Sequence, residues 1–379
     1  MTSPFLAYGM LYRVVAFVAL LVWLLIEMFD SRSVIWKPSS YILILYFYIL
    51  YTFPVGYLED GIASVTRNVQ FYFMLFFLIV YESYRRKSLL MLKPIVAINI
   101  VFFAVWTLTT YKGLLVDGHA ARYIIRSGAE AIALTKQGIG GFTFVYSLLI
   151  YIISLMALIR HRIYHKKFLT PVSVFLLFSL VLSMMVVLKA EYSTAVILMV
   201  LSSTLFIFYS DSISKNIILF LSLILVYIAM EYYFIDILTM LQPYAEGTNY
   251  SHKISDTIAT LQSGETTGTA KDRIDRYVRS FNLFLEYPFT GTWSIMPVGK
   301  HSLLLDTFAQ YGLFVGIALI YMLFKPLVDI YKTHKRNRGF ALTMLFLAVA
   351  LVSLNNVAMA YGFMLYVFYP YVIERVENA

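Results

Sequence analysis

Long apolar runs recur along the chain and are separated by shorter polar segments. Each run approaches the ~20 residues that a helix needs to cross a bilayer. The runs are continuous rather than alternating, and in lipid only helices and closed barrels satisfy their own backbone hydrogen bonds. The pattern therefore predicts an all-α, polytopic integral membrane protein with about eleven transmembrane helices, within a range of about ten to twelve. The predicted spans are 12–29, 40–57, 66–83, 92–111, 140–160, 169–188, 193–210, 215–235, 303–324, 339–356 and 357–374.

Two longer polar stretches interrupt this pattern, at 112–139 and 236–302, within what is predicted to be one membrane domain over 1–379. Basic clusters near 85–87, 160–167 and 325–338 all fall on the opposite side of the membrane under this count. Because cytoplasmic loops carry an excess of Lys and Arg, both polar stretches are expected to lie outside the cytoplasm. A binding patch for anionic lipid is the alternative interpretation of the basic clusters.

The larger of these loops contains a predicted amphipathic helix, whereas 236–268 is expected to be irregular or loosely helical. Thr269 to Asp272 resembles a capping box, which marks a helix start. Pro288 should end the helix, because the residue before a proline is pushed out of the α region. The apolar positions recur at helical spacing and are Ile274, Val278, Phe281, Phe284 and Leu285.

Composition agrees with a membrane protein, since 60% of residues are hydrophobic, 13% are charged and the mean hydropathy is +0.76. The formal net charge of +9 would favour nucleic acid in a soluble protein, but here most of it lies in short loops between spans. It is explained by membrane orientation, so no nucleic-acid partner is expected. The chain has no cysteine, which excludes disulfides, thiolate nucleophiles and Cys-bound metals.

Three arginines on the amphipathic helix are candidates for anion binding. Arg273, Arg276 and Arg279 follow a spacing of three residues and share one face. Guanidinium groups bind phosphate oxygens bidentately and stay charged at every relevant pH. The alternative is that Asp272 and Asp275, four residues before Arg276 and Arg279, pair with them and leave only Arg273 for a ligand.

His301 lies just before the predicted span at 303–324 and is a candidate general base. Its ordinary pKa, near 6.5, would let it accept a proton from a sugar hydroxyl at neutral pH. The alternative is an interfacial hydrogen bonder. No metal-ligand motif, P-loop or dinucleotide-binding glycine motif is present, so we expect no metal and no cofactor. Any transfer reaction must then use a donor that is already activated.

Two further pairs of charged residues are weaker candidates for substrate binding. Arg122 and Arg126 lie on a short helical pattern in the smaller loop. Lys189 and Glu191 flank a very short outer turn, where charges near the membrane are costly and are often functional. These two residues are equally well explained as solvated ends of a helical hairpin.

Four short motifs follow one another in the stretch around the arginines and the histidine. They are Arg273 followed by Tyr277, Pro288-Phe-Thr-Gly291, His301-Ser-Leu-Leu304 and Gln310-Tyr-Gly312-Leu-Phe-Val-Gly316. In order and spacing, over about 45 residues, they resemble the O-antigen polymerase and O-antigen ligase superfamily of membrane glycosyltransferases. Serine replaces the family's asparagine after the histidine, and Lys189 and Glu191 stand where an arginine is common. These departures favour the polymerase branch over the ligase branch.

The resemblance implies transfer of a glycan from undecaprenyl diphosphate to a sugar hydroxyl of another lipid-linked repeat unit. Arg273 would stabilise the leaving diphosphate, His301 would be the general base, and Tyr277 would lie in the substrate site. The reaction would take place on the periplasmic face of the bacterial inner membrane. Partners would be the lipid-linked oligosaccharide, membrane lipids and a chain-length regulator protein. The alternatives are an O-antigen ligase that delivers to lipid A-core and, from another class, a lipid-linked oligosaccharide flippase or other transporter.

Overall fold

The described part of the chain is helical, with turns between the helices and no β-strand. The structure is a computed structural model. It describes 21–31, 33–61, 92–124, 129–167, 169–209, 235–263, 268–293, 295–333 and 338–354, and the shorter pieces 18, 82, 214–215, 218, 221–222, 368–369 and 371–372.

Eleven α-helices are given bounds in these residues, and 21–28 and 235–241 are also helical. They are α1 (Ser40–Asp60), α2 (Leu92–Val116), α3 (Ala120–Tyr123), α4 (Ala129–Lys136), α5 (Phe142–Tyr164), α6 (Pro171–Lys189), α7 (Ser193–Phe208), α8 (Asn249–Ser263), α9 (Gly268–Glu286), α10 (Leu303–Thr333) and α11 (Arg338–Leu354). A 3₁₀ helix at Gln242–Ala245 precedes α8.

Within the described residues, five helices are long and apolar enough to cross a membrane, which identifies a membrane protein. Each coincides with a predicted span. The candidate spans are Ser40–Leu58, Val96–Val116, Phe142–Tyr164, Pro171–Lys189 and Leu303–Asp329. The predicted spans 193–210 and 339–356 correspond to the shorter apolar helices α7 and α11, of 16 and 17 residues. The predicted span 12–29 is described at 18 and 21–29 and is helical over 21–28, whereas 66–83, 215–235 and 357–374 lie largely outside the described residues.

Helix α5 forms the centre of the membrane domain. Its most apolar 18-residue window is 78% buried, far more than in the other four candidate spans. It packs against α6, α7 and α11. Tyr151, at the middle of α5, donates to the carbonyl oxygen of Ile100 on α2 at 3.0 Å, so this buried hydroxyl is satisfied.

The remaining helices position the polar stretches at the helix ends. Helix α10 packs against α1, α9 and α11, and Tyr41 of α1 donates to the carbonyl oxygen of Met322 on α10 at 3.0 Å. The short helices α3 and α4 fold back onto the end of α2, where Thr109 donates to the carbonyl oxygen of Gly138 at 2.8 Å. The pattern at 119–137 is thus helical where it is described, at Ala120–Tyr123 and Ala129–Lys136, as predicted.

Candidate functional site

The predicted amphipathic helix is α9, which ends at Glu286, two residues before Pro288. One expectation about this loop is wrong. Helix α9 already includes Gly268, so Thr269 lies within the helix rather than at its N-cap. Of the two forms expected for 236–268, irregular or loosely helical, the structure shows helix over much of the described part, because 235–241, the 3₁₀ helix and α8 are all helical.

Much of the apolar face of α9 is not covered by the rest of the protein. Phe284 packs edge-on against Phe308 of α10, with ring centroids 5.2 Å apart. The other apolar positions of the predicted stripe remain between 45% and 59% exposed. These exposed positions are Ile274, Val278, Phe281 and Leu285.

The turn after α9 docks into a break in α10. Gly312 has φ 79° and ψ −176°, a conformation that only glycine adopts readily, and it divides α10 into two segments. Backbone groups of α10 on either side of the break bond to the turn: the N–H of Leu313 donates to Pro288 O at 2.8 Å, and Ala309 O accepts from the N–H of Thr292 at 2.9 Å. A Cβ at Gly312 would lie 2.2 Å from the carbonyl oxygen of Phe289, so the close approach excludes a side chain.

His301 is half-buried and lies two residues before the start of α10. The charged side chains of α9 affect its pKa. Partial burial lowers the pKa of His301, and the positive charges of Arg276 and Arg273 lower it further. Asp272 acts in the opposite direction. The imidazole is therefore held in its neutral form to a lower pH than usual, as a proton acceptor requires.

The three arginines of α9 make different contacts. Arg273 donates from Nη1 to Thr194 Oγ1 at the start of α7, at 3.1 Å. Arg276 donates to the carbonyl oxygen of Gly299, at 3.5 Å. Arg279 is exposed. The ion pairs considered from sequence, to Asp272 and Asp275, do not appear among the salt bridges of the described residues.

Tyr277, on the same helix, contacts the backbone of α11. Its hydroxyl donates to the carbonyl oxygen of Leu354, the last residue of α11, at 3.0 Å. Burial raises the pKa of Tyr277, with the charge of Arg273 opposing and that of Asp306 adding to the shift. The phenol is thus a neutral donor that ties the middle of α9 to the end of α11.

The short turn between α6 and α7 is approached by the smaller polar stretch. Glu191 is only 7% exposed and has a left-handed backbone, with φ 59°. Its carboxylate Oε2 lies 3.6 Å from His119 Nδ1. Arg122 donates to the backbone carbonyl of Glu191 and stacks over the ring of Tyr192, with 5.2 Å from Cζ to the ring centroid.

The larger polar stretch reaches the same turn. Tyr250, in the first turn of α8, donates to the carbonyl oxygen of Leu188 at 3.0 Å. Burial raises the pKa of Tyr250 to about 12, and the charge of Glu191 adds to this while that of Arg122 opposes it. With the bond from Arg273 to Thr194, both polar stretches meet at residues 188–194, which we call the α6–α7 turn.

The structure therefore brings together most of the residues singled out from sequence. Arg273, Arg276 and His301 lie close enough to interact electrostatically, and Arg122 and Glu191 lie at the α6–α7 turn that Arg273 contacts. Lys189 lies within that turn and is exposed. Arg126 lies outside the described residues.

Five residues at this site were missed from sequence: His119, Thr194, Tyr250, Ser280 and Asp306. Asp306 could have been found, because it is an acidic residue in the first turn of an apolar span, where charges are rare and functional. It accepts a hydrogen bond from Ser280 Oγ at 2.7 Å. The others carry no local signal, since each is defined by a contact between distant segments.

An apolar groove of about 680 Å³ lies between α1 and α10, beside the turn that follows α9. The edge of the groove is tied to this turn by Tyr51, which donates to the carbonyl oxygen of Thr290 at 3.4 Å. Its lining includes Ile44, Phe47, Tyr51, Phe289, Tyr311 and Phe314.

The arrangement provides fixed cations and a neutral imidazole at the end of membrane-spanning helices. Such groups can bind an anion and accept a proton. Among the described residues no group of three or more histidines and carboxylates is placed to hold a metal ion. No family model and no curated protein sequence matches this chain.

Proposed function

We propose that the protein is a membrane glycosyltransferase that uses a polyprenyl-diphosphate-linked glycan as donor, and specifically an O-antigen polymerase. The observation that carries this proposal is the contact of α9 with the segment before α10, where Arg276 donates to the carbonyl oxygen of Gly299, two residues before His301. Burial and the charges of Arg276 and Arg273 lower the pKa of His301 there. A neutral base beside two guanidinium groups suits attack by a hydroxyl with departure of a diphosphate. The order of these residues also resembles that superfamily.

In the proposed reaction the acceptor hydroxyl oxygen attacks the anomeric carbon of the donor glycan. The bond from that carbon to the diphosphate oxygen breaks, and undecaprenyl diphosphate leaves with the electron pair. Arg273 and Arg276 stabilise the negative charge on the leaving group. His301 accepts the proton of the attacking hydroxyl. The proposed reaction uses no nucleotide or other cofactor.

The lipid part of the donor needs an apolar site, and the α1–α10 groove is the proposed place for the polyprenyl chain. The remaining candidates are assigned to substrate binding or to the walls of the site. They are Arg279, Arg122, Arg126, Lys189, Glu191 and Tyr277. The reaction is assigned to the periplasmic side of the bacterial inner membrane, in a protein with about eleven spans. Membrane lipids and a chain-length regulator are the proposed further partners.

A ligase that delivers to lipid A-core would use the same donor and the same chemistry. A flippase or other transporter is disfavoured, because its ionisable groups should lie near the bilayer midplane. In the five candidate spans the charged residues lie near the helix ends, and they are Lys112, Arg160, Arg162, Lys189, Asp306, Lys325 and Asp329.

The decisive experiment is deletion of the gene followed by gel analysis of lipopolysaccharide. Core bearing one repeat unit is the expected result. Bare core with accumulated lipid-linked polymer would identify a ligase, and lipid-linked units trapped on the cytoplasmic face would identify a flippase. Plasmids that encode His301→Ala or Arg273→Ala should fail to restore long chains although the proteins are present in the membrane. Restoration by either variant would remove that residue from the mechanism.

A further inference from the structure

The segment that carries His301 is fixed from two sides. On one side Ser280 of α9 accepts a hydrogen bond from the backbone N–H of Gly299 at 2.9 Å. On the other side the carboxylate of Asp306 in α10 accepts one from the backbone N–H of Lys300 at 3.2 Å. The two residues immediately before His301 are thus held by side chains from two different helices.

Ser280 and Asp306 also bind each other, and together we call them the clamp. The Ser280 hydroxyl donates to Asp306 Oδ1 at 2.7 Å. Both side chains are buried, with 1% and 6% of their surface exposed. A hydroxyl that accepts from a backbone N–H and donates to a carboxylate has both of its functions satisfied, which makes its geometry definite.

The backbone around the clamp has little freedom. A Cβ at Gly299 would lie 2.1 Å from the carbonyl oxygen of Arg276, so this segment lies directly against the backbone of α9. Lys300 has a left-handed conformation, with φ 61°, which a lysine does not adopt readily. Such a conformation persists only where surrounding contacts impose it. The clamp supplies two such contacts, one to the backbone N–H of Gly299 and one to the backbone N–H of Lys300.

We propose that Ser280 and Asp306 are positioning residues that hold His301 in register with Arg276 and Arg273. The proposal rests on the proposed transferase function, in which His301 takes the acceptor proton. The clamp residues do not touch the reacting atoms. They fix the backbone from which the imidazole projects, and they fix it to the helix that carries the arginines.

A first experiment measures the order of this segment without any substrate. The chain lacks cysteine, so Lys300→Cys accepts a single nitroxide spin label at an exposed position. We expect an immobilised label in the otherwise unchanged protein and in Asp306→Asn, which retains an oxygen acceptor. A mobile label is expected in Ser280→Ala and in Asp306→Leu. A label at Lys271→Cys, on the exposed surface of α9, should be unaffected and reports that α9 remains folded.

A second experiment measures transfer by purified protein with lipid-linked repeat units. Misplacement of a catalytic group by about 1 Å costs on the order of 100-fold in rate. We therefore expect Ser280→Ala to lower kcat by roughly 10- to 100-fold with little change in KM. Asp306→Asn should retain most of the activity, whereas Asp306→Leu should lose it. This rescue by the conservative variant distinguishes positioning from a requirement for charge.

The outcomes of the two experiments separate an error about the clamp from an error about the proposed function. An immobile label in Ser280→Ala and Asp306→Leu overturns the clamp, whatever the enzyme does. A mobile label with unchanged kcat overturns its role in positioning His301. If the unmodified protein does not elongate lipid-linked repeat units at all, the proposed function is wrong, and the label still decides whether the clamp orders the segment.

Discussion

The neighbours of His301 set its protonation state, and this can be read from a pH profile. Removing the positive charge in Arg276→Gln should raise the pKa of His301 towards its ordinary value. Because the neutral imidazole is the active base, the rate falls as pH drops through this pKa. The acidic limb of the kcat profile should therefore move to higher pH in the variant. Transfer rates between about pH 5 and 8, where histidine titrates, provide the measurement.

The same helix provides a variant with the opposite expected sign and a neutral control. Asp272→Asn removes a negative charge that raises the pKa of His301, so the acidic limb should move to lower pH. Arg279→Gln removes a charge that does not act on His301 and should leave the limb in place. A shift in Arg279→Gln as large as that in Arg276→Gln would indicate an effect of net charge alone. Shifts of the same sign in Arg276→Gln and Asp272→Asn would contradict the assignment of His301 as base.

Thr194 provides a second prediction at the scale of single residues. Its hydroxyl is the acceptor for Arg273, and the bond joins α9 to the start of α7. Thr194→Val keeps the shape but removes the acceptor, at a cost of about 1 kcal/mol, or roughly a fivefold lower kcat/KM. Thr194→Ser should retain activity. Equal activities of the valine and serine variants would show that Arg273 does not depend on this contact.

At the scale of elements, the docking of the turn after α9 into α10 depends on close backbone approach. At Gly291 φ is 70°, and a Cβ would lie 2.4 Å from the carbonyl carbon of Gln310. Gly291→Ala should therefore destabilise the protein by about 2–4 kcal/mol, from left-handed backbone strain and from overpacking. Thermal unfolding in detergent measures the change.

Gly247 is the matched control for this prediction. Its φ is 78°, but a Cβ there would meet no atom within 4 Å. Gly247→Ala should therefore cost only the backbone term, about 1 kcal/mol. If Gly291→Ala were no more destabilising than Gly247→Ala, the turn would not pack against α10 as described.

The sequence predicted those elements that are determined by residues close to one another in the chain. Apolar runs predicted the five candidate spans, and Pro288 correctly marked the end of α9. It could not predict that Ser280 would bind Asp306, or that Arg273 would bind Thr194, 79 positions away. These contacts depend on how α9 lies across the ends of other helices. The alternative interpretation, an ion pair between Arg276 and Asp272, was wrong. Arg276 donates instead to the carbonyl oxygen of Gly299.

At the scale of the whole molecule, the α6–α7 turn explains how separate parts of the chain form one site. Arg122 and His119 come from one polar stretch, whereas Tyr250 and Arg273 come from the other. All of them contact residues 188–194. A common contact of this kind requires that both stretches emerge on the same side of the membrane.

That requirement can be tested because the chain has no cysteine, so any introduced cysteine is unique. Glu130→Cys and Tyr244→Cys place exposed thiols in the two polar stretches, and Lys166→Cys places one in the basic segment between α5 and α6. A membrane-impermeant maleimide should label the first two in intact spheroplasts, because basic segments stay in the cytoplasm. Lys166→Cys should be labelled only after permeabilisation, and the buried control Ile150→Cys should not be labelled in the folded protein. Labelling of Glu130→Cys and Tyr244→Cys from opposite sides would exclude the common site. Labelling of both only after permeabilisation would place the site in the cytoplasm, away from any acceptor on the periplasmic face.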